Sequence, residues 1–408
     1  MLDALRTGLG GAVGAGLLFG IGPGAAAAGW WLLAGAVIAM LAALCTAASA
    51  AELGARNHGS NGLGVLRIQL GVLPARIAAV SMTGGRVLAA AVVAIVAGRY
   101  LTPTAPLAGA LVVLVVGAVT ALLGRRLPQR TLVAVAGPVV LLVLAIVAIA
   151  CFAIAPVGTA TPAGVAGADD WTGILDAAGF AVFAFLGAER AASVRRGPAV
   201  PLVAVPLLMV LLLGIYLAVA GGALHQLGGA RLALSGAPLR DALVAADGAG
   251  IGQLLAVGAA IAAVVVLNGL FRELNAMVEE LVVGQELPDR LRTAAGPVGL
   301  TVLGAVVVLT AVLVRWPGWL APSMAVAGSL CVLGWAFTNS AARLVPDARR
   351  FWPKRAPCFG LGFSVLVSVV TALDHPIPVV AVLVFGTALL TGSAGLTAWR
   401  GRISAAPR

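Results

Sequence analysis

Apolar runs of about 20 residues recur from one end of this 408-residue chain to the other, separated by short polar stretches. A run of that length crosses the hydrocarbon of a bilayer as a helix. No water there satisfies the backbone, so each run must close its own hydrogen bonds. Hydropathy places about 12 spans, near 8–28, 30–53, 77–98, 106–124, 131–155, 173–193, 199–221, 250–272, 297–314, 320–342, 358–374 and 377–398. The composition agrees, at 61% hydrophobic and 10% charged. A mean hydropathy of +1.08 lies outside the range of water-soluble domains. The chain reads as an all-α polytopic membrane protein, one transmembrane domain over residues 1–408. The first run leads straight into the second, which suits a retained span better than a cleaved signal.

The basic residues fix an expected orientation. Arg99, Arg231, Arg240 and Arg315 fall on one side, and Arg86 and Arg272 lie within or at the end of spans. The other 20 of the 26 basic residues fall on the opposite side. Cytoplasmic loops carry such an excess, so both termini are expected in the cytoplasm and the protein in the cytoplasmic membrane. Trp30-Trp31, between the first two spans, suit an interfacial anchor. The net charge of +11 does not point to nucleic acid, because the arginines sit in short loops and there are only two tyrosines. Cys45, Cys151, Cys331 and Cys358 are far apart with no CxxC spacing, so neither a disulfide framework nor a metal site is expected, and no cofactor.

Two spans break the pattern. Gly11 to Gly24 carries six glycines and Pro23 inside an apolar run. Each glycine costs about 1 kcal/mol against alanine in a helix interior, and proline about 3 kcal/mol. Irregular backbone at membrane depth survives where it is buried in protein or lines a cavity. Close helix packing through small residues is the other use of such glycines. The second break is Gly179 to Arg190, where Phe180, Phe183 and Phe185 cluster before Gly187 and the carboxylate Glu189 comes next. The two broken spans are the first and the sixth. A five-span unit repeated in inverted orientation would place them equivalently, about 8–155 against 173–342, with extra helices at about 358–398. Helix N-termini at such breaks attract an anionic group and freed carbonyls a cation. An α-amino acid presents both groups on one carbon.

Gly14-Ala15-Gly16-Leu17-Leu18 resembles the Gly-Ser/Thr-Gly motif of the first span in the amino acid–polyamine–organocation (APC) superfamily. Ala51-Glu52-Leu53-Gly54, with Gly59-Ser60-Asn61-Gly62 after it, resembles the loop after its second span. Phe183-Ala184-Phe185-Leu186-Gly187-Ala188-Glu189 resembles its sixth, and Leu267-Asn268-Gly269 the end of its eighth. In length the chain is similar to bacterial exporters of methionine and branched-chain amino acids. The resemblance implies a LeuT-type 5+5 inverted repeat plus two C-terminal helices. It also implies substrate contacts from Gly14, Ala15, Gly16, Leu17, Phe183, Ala184, Phe185 and Gly187. The family's hydroxyl in the first motif is replaced by Ala15, and the second acid that often comes after span six is absent. Sodium-coupled members of this fold use hydroxyls of span eight. From Ile251 to Glu280 there is no Ser or Thr, so transport is expected to be sodium-independent.

Glu189 and Arg86 are the candidate coupling or gating charges. Intramembrane charges are expensive and mark function; the alternatives are a structural ion pair of Glu189 with Arg190 or Arg86, and Arg86 snorkelling to the interface. Asn268 and Trp335 read as packing residues, Asp176 as a cap of span six, and the acids from Glu273 to Glu286 as a solvated helix end. The leading expectation is a carrier or exchanger of small neutral, apolar amino acids, acting as monomer or homodimer among membrane lipids. A cationic amino acid or polyamine exchanger is the alternative within the fold. An integral-membrane enzyme would need clustered acids or a His/Asp pair, and His58, His225 and His375 are scattered.

Overall fold

The computed structural model describes residues 18, 20–56, 62–123, 129–156, 171–187, 200–288, 297–346 and 352–405. Its helices in chain order are α1 (Ile21–Ala28), α2 (Leu32–Arg56), α3 (Gly62–Leu70), α4 (Val72–Leu101), α5 (Pro106–Leu122), α6 (Gln129–Ala153) and α7 (Ile174–Ala181). Next come α8 (Val205–Leu234), α9 (Pro238–Ala245), α10 (Gly252–Val283), α11 (Pro297–Arg315), α12 (Leu320–Arg343), α13 (Arg355–Asp374) and α14 (Pro376–Ala405). No strand occurs among the described residues. Eight helical stretches among them are long and apolar enough to cross a membrane. Three shorter apolar helices accompany them: Pro106–Leu122, Ile174–Ala184 and Leu303–Arg315.

Two groups of helices organise the molecule. α7 and α8 pack around α1 and α2, while α4, α5, α10 and α11 all pack on one another. α6 touches α8 and α10, and α12 touches α2 and α4, so these two helices join the groups. α4 lies at the centre. From Ala89 to Gly98 it is buried all round, mostly through alanine and valine, which lets its neighbours approach closely. At the periphery α14 exposes Ile377, Val384, Phe385 and Leu389, an outer face suited to acyl chains.

The end of α1, the end of α4, the α8–α9 connection and the start of α12 come together around Ala26, Arg99, Ser235 and Leu320, and so lie on one face. That face carries Trp30, Trp31, Trp316 and Trp319, all exposed. The last two stack with ring centroids 6.0 Å apart, and the Arg315 guanidinium lies 5.9 Å over Trp316. This is the aromatic belt of a membrane interface.

Buried polar groups are knotted across helices. The Asn339 amide on α12 donates to Thr46 Oγ1 at 2.9 Å and accepts from Ser49 Oγ at 2.7 Å, both on α2. Ser329 and Ser368 exchange hydroxyl-to-carbonyl bonds of 3.2 Å between α12 and α13. Gln226 of α8 donates to the Cys151 and Ile154 carbonyls, both at 2.7 Å, and so satisfies the end of α6. Glu52, only 1% exposed, accepts the Trp352 N–H at 2.9 Å.

The acidic stretch after span eight is not a solvated end. Glu286 is 4% exposed, and its carboxylate meets Arg67 at 3.0 Å and Arg76 at 2.6 Å. Glu280 accepts the Leu63 N–H at 2.8 Å, and Arg67 donates to the Gly284 carbonyl at 2.9 Å. Because α10 runs on to Val283, it carries these acids under α3 and the start of α4. Buried there, each carboxylate needs a donor. The result is an ionic clasp on the face opposite the tryptophans.

Candidate functional site

The two sequence breaks meet in the core. Gly14, Ala15, Gly16, Leu17 and Glu189 lie outside the described residues. Just beyond the first motif, Leu18 is 2% exposed, Gly20 is buried, and α1 starts at Ile21. No side chain caps α1 at Gly20, and its first intrahelical bond is Gly24 N–H to the Gly20 carbonyl at 3.0 Å. Among the described residues the N–H groups of Ile21 and Gly22 have no acceptor ahead of them, while Pro23 contributes none.

α1 packs on α7, whose opposite end lies at the second break. The α-helical ladder of α7 stops at Ala181. A tighter turn covers Val182–Ala184, and Phe185 N–H closes on the Val182 carbonyl at 2.8 Å. Three of the predicted site residues share this turn region and are essentially inaccessible: Phe183 and Phe185 at 0% and Ala184 at 2%. Gly187 is also buried. Phe183, Phe185, Leu18, Ile21 and Trp335 belong to one continuous apolar core.

Glycines hold α7 in place. A methyl group on Gly35 of α2 would sit 2.9 Å from Ala178 N, and one on Gly328 of α12 would sit 2.8 Å from the Gly179 carbonyl oxygen. Both fall below any tolerable carbon contact, so α7 rests backbone-to-backbone on two neighbours. Sequence reasoning misses this clamp; small residues recurring along Ala325-Val326-Ala327-Gly328-Ser329 are its only trace.

Arg86 of α4 is 6% exposed and does not snorkel. Its Nε donates to Glu273 Oε2 of α10 at 2.6 Å, and Nη1 donates to the Met82 carbonyl at 3.2 Å. Glu273 is therefore no part of a solvated end, and the pair it forms leaves no sign in the sequence. Asn268, five residues earlier on α10, is 1% exposed, and neither amide atom has a hydrogen-bond partner among the described residues. Trp335 is a buried packing residue, 1% exposed. Asp176 does not cap α7, which has no side-chain cap. It lines a cavity of about 310 Å³ together with Phe180, Thr371, Asp374 and His375. A second cavity of about 180 Å³, bordered by Leu18, Pro23, Arg99 and Met324, lies where α1 meets α4 and α12. No cluster of metal-ligating side chains occurs among the described residues.

No protein-family model matches the chain. It is 36% identical over 277 residues to proteins named uncharacterized transporters in Mycobacterium tuberculosis and Mycobacterium bovis. The match covers 64% of this chain, and the chain spans about 60% of the length of those relatives. The crystal structure of MhsT in complex with L-phenylalanine superimposes with a TM-score of 0.60 at 15% identity, covering 91% of this chain and 98% of that one. At that identity the likeness concerns fold alone. The architecture is an all-α, multi-pass fold of the LeuT type.

Proposed function

We propose that the chain is a secondary transporter of small neutral, apolar amino acids, working by alternating access without sodium across the cytoplasmic membrane. The observation that carries this is the meeting of the two breaks, with the open N–H end of α1 packed on the interrupted end of α7 inside the apolar core. The α1 end, with Gly14, Ala15 and Gly16 before it, receives the substrate carboxylate. The carbonyls freed after Ala181 receive the ammonium group. Leu17, Phe183, Ala184, Phe185 and Gly187 enclose an aliphatic or thioether side chain. Transport is supported by the names of the mycobacterial relatives, and an amino-acid substrate by the ligand in the structure of MhsT.

In this reading residues 8–155 and 173–342 are inverted repeats. The group around α1 and α2 rocks against the group around α4, while Glu189 and the Arg86–Glu273 pair serve coupling and gating. The tryptophan-bearing face is the outer one. α10 offers no Ser or Thr between Ile251 and Glu280, which argues against sodium at that helix.

Exchange of radiolabelled leucine or methionine in proteoliposomes tests the proposal. Flux is expected without sodium, and Gly16→Leu is expected to abolish it while the purified protein keeps its melting temperature. A strict sodium requirement, or full transport in that variant, would sink the assignment.

A further inference from the structure

We infer that the ionic clasp under α3 is the binding site of a zwitterionic amino-phospholipid of the cytoplasmic leaflet, a lipid whose headgroup joins a phosphate to a primary ammonium. The site is independent of what the carrier moves, and the proposed orientation supplies only the name of the leaflet. A cavity of about 320 Å³ lies beside the clasp, lined by Arg67, Arg76, Glu279, Glu280 and Glu286, with Val283 on its apolar side. Its depth follows from α10. That helix has 32 residues and is about 48 Å long, whereas the hydrocarbon of a bilayer is about 30 Å thick. The excess falls at the charged end, so the last turns of α10 stand among the headgroups. α3 joins the end of α2 to the start of α4 at the same level. Around this corner the surface is apolar, with Ile68 68%, Leu73 58% and Val283 65% exposed. Acyl chains at the leaflet boundary cover such a surface.

The charges select the headgroup. A guanidinium carries five N–H donors. At Arg67 the Gly284 carbonyl is bound through Nη1 and Glu286 through Nη2, and at Arg76 Glu286 is bound through Nε. The donors left over suit a phosphate, which arginine holds two-pronged, and the Arg67 side chain is 37% exposed to receive it. On the acidic wall, Glu280 is engaged by the Leu63 N–H and Glu286 by both arginines. Glu279 is exposed and makes no hydrogen bond or ion pair among the described residues. It is the acceptor for an ammonium. A purely anionic headgroup would meet three carboxylates against two guanidiniums. A quaternary ammonium has no N–H to give to Glu279. A phosphate and a primary ammonium on one headgroup satisfy both walls, with the acyl chains over Ile68, Leu73 and Val283.

Native mass spectrometry of the full-length protein tests this, with phosphatidylethanolamine, phosphatidylcholine or phosphatidylglycerol of the same acyl chains added in detergent. The parent is expected to retain phosphatidylethanolamine about fivefold more than either other lipid, the upper worth of one exposed charge pair. Glu279→Gln keeps the shape of the side chain and breaks no bond of the fold. Its melting temperature should match the parent's, while the lipid preference disappears. Leu73→Ser is expected to weaken retention of all three lipids alike. Equal retention of the three lipids by the parent, or an unchanged preference in Glu279→Gln, would overturn the inference. So would a preference for phosphatidylglycerol, which leaves Glu279 without a role. Soluble glycerophosphoethanolamine separates the lipid from a cytosolic solute of the same chemistry. It should raise the melting temperature of the parent far less than the lipid does, and an equal rise would rule out the lipid as the occupant.

Discussion

Single residues carry unusual weight in this fold because so few of them are polar. Asn268 is the sharpest instance. A buried amide whose two polar atoms find no partner, as for Asn268 among the described residues, costs about 1–3 kcal/mol relative to an apolar side chain of the same shape. Asn268→Leu is therefore expected to raise the melting temperature of the purified protein and, at the same time, to lower leucine flux. A variant both less stable and less active would instead mark the amide as an ordinary packing group. Glu52 is the opposite case. Both residues stand out in the sequence as parts of motifs. Glu52, however, holds the Trp352 N–H, a bond 300 positions away that no local pattern announces.

Among the elements, α7 is defined less by its own eight residues than by the surfaces it rests on. Gly328→Ala would force a methyl group to 2.8 Å from the Gly179 carbonyl oxygen, and that oxygen belongs to backbone. Overpacking of this kind costs about 1–3 kcal/mol. We expect a lower melting temperature together with reduced transport, since the displaced helix carries Phe183 and Phe185 at its end. Gly362, which has open space around it, serves as the control: its alanine variant should leave transport unchanged. The long helices are legible in the sequence because twenty apolar residues admit one solution in a bilayer. The break at Val182–Ala184 is legible through the glycines and aromatics around it. The ionic clasp is not. Hydropathy registers Glu280 and Glu286 as the end of a span and is blind to Arg67 and Arg76, which reach this stretch from about 210 residues earlier in the chain.

For the whole molecule, the arginine asymmetry and the tryptophans of the opposite face make one joint forecast. A green fluorescent protein fused to the C-terminus should fluoresce in cells, and an alkaline phosphatase fused there should be inactive. The reverse pattern would invert the molecule and turn the Arg99 cavity toward the cytoplasm. The pairing of α2 with α12 also bears on how the chain is made. Ser49 and Asn339 are 290 residues apart. At about 5–20 residues per second, α2 is synthesised roughly 15–60 s before its partner. During that wait its hydroxyls need not stand unsatisfied in lipid. Thr46 bonds back to the Ala42 carbonyl at 2.8 Å and Ser49 to the Cys45 carbonyl at 2.9 Å, each within the helix's own preceding turn. The late-arriving amide of Asn339 thus docks onto groups that are already quiet. Serine and threonine, whose hydroxyl proton can lean on their own helix, suit the early member of such a pair. Asparagine can settle one amide hydrogen in this way, on the Trp335 carbonyl at 3.0 Å, but its second hydrogen and its oxygen find their partners on α2. It suits the late member, which inserts when that partner is already in place.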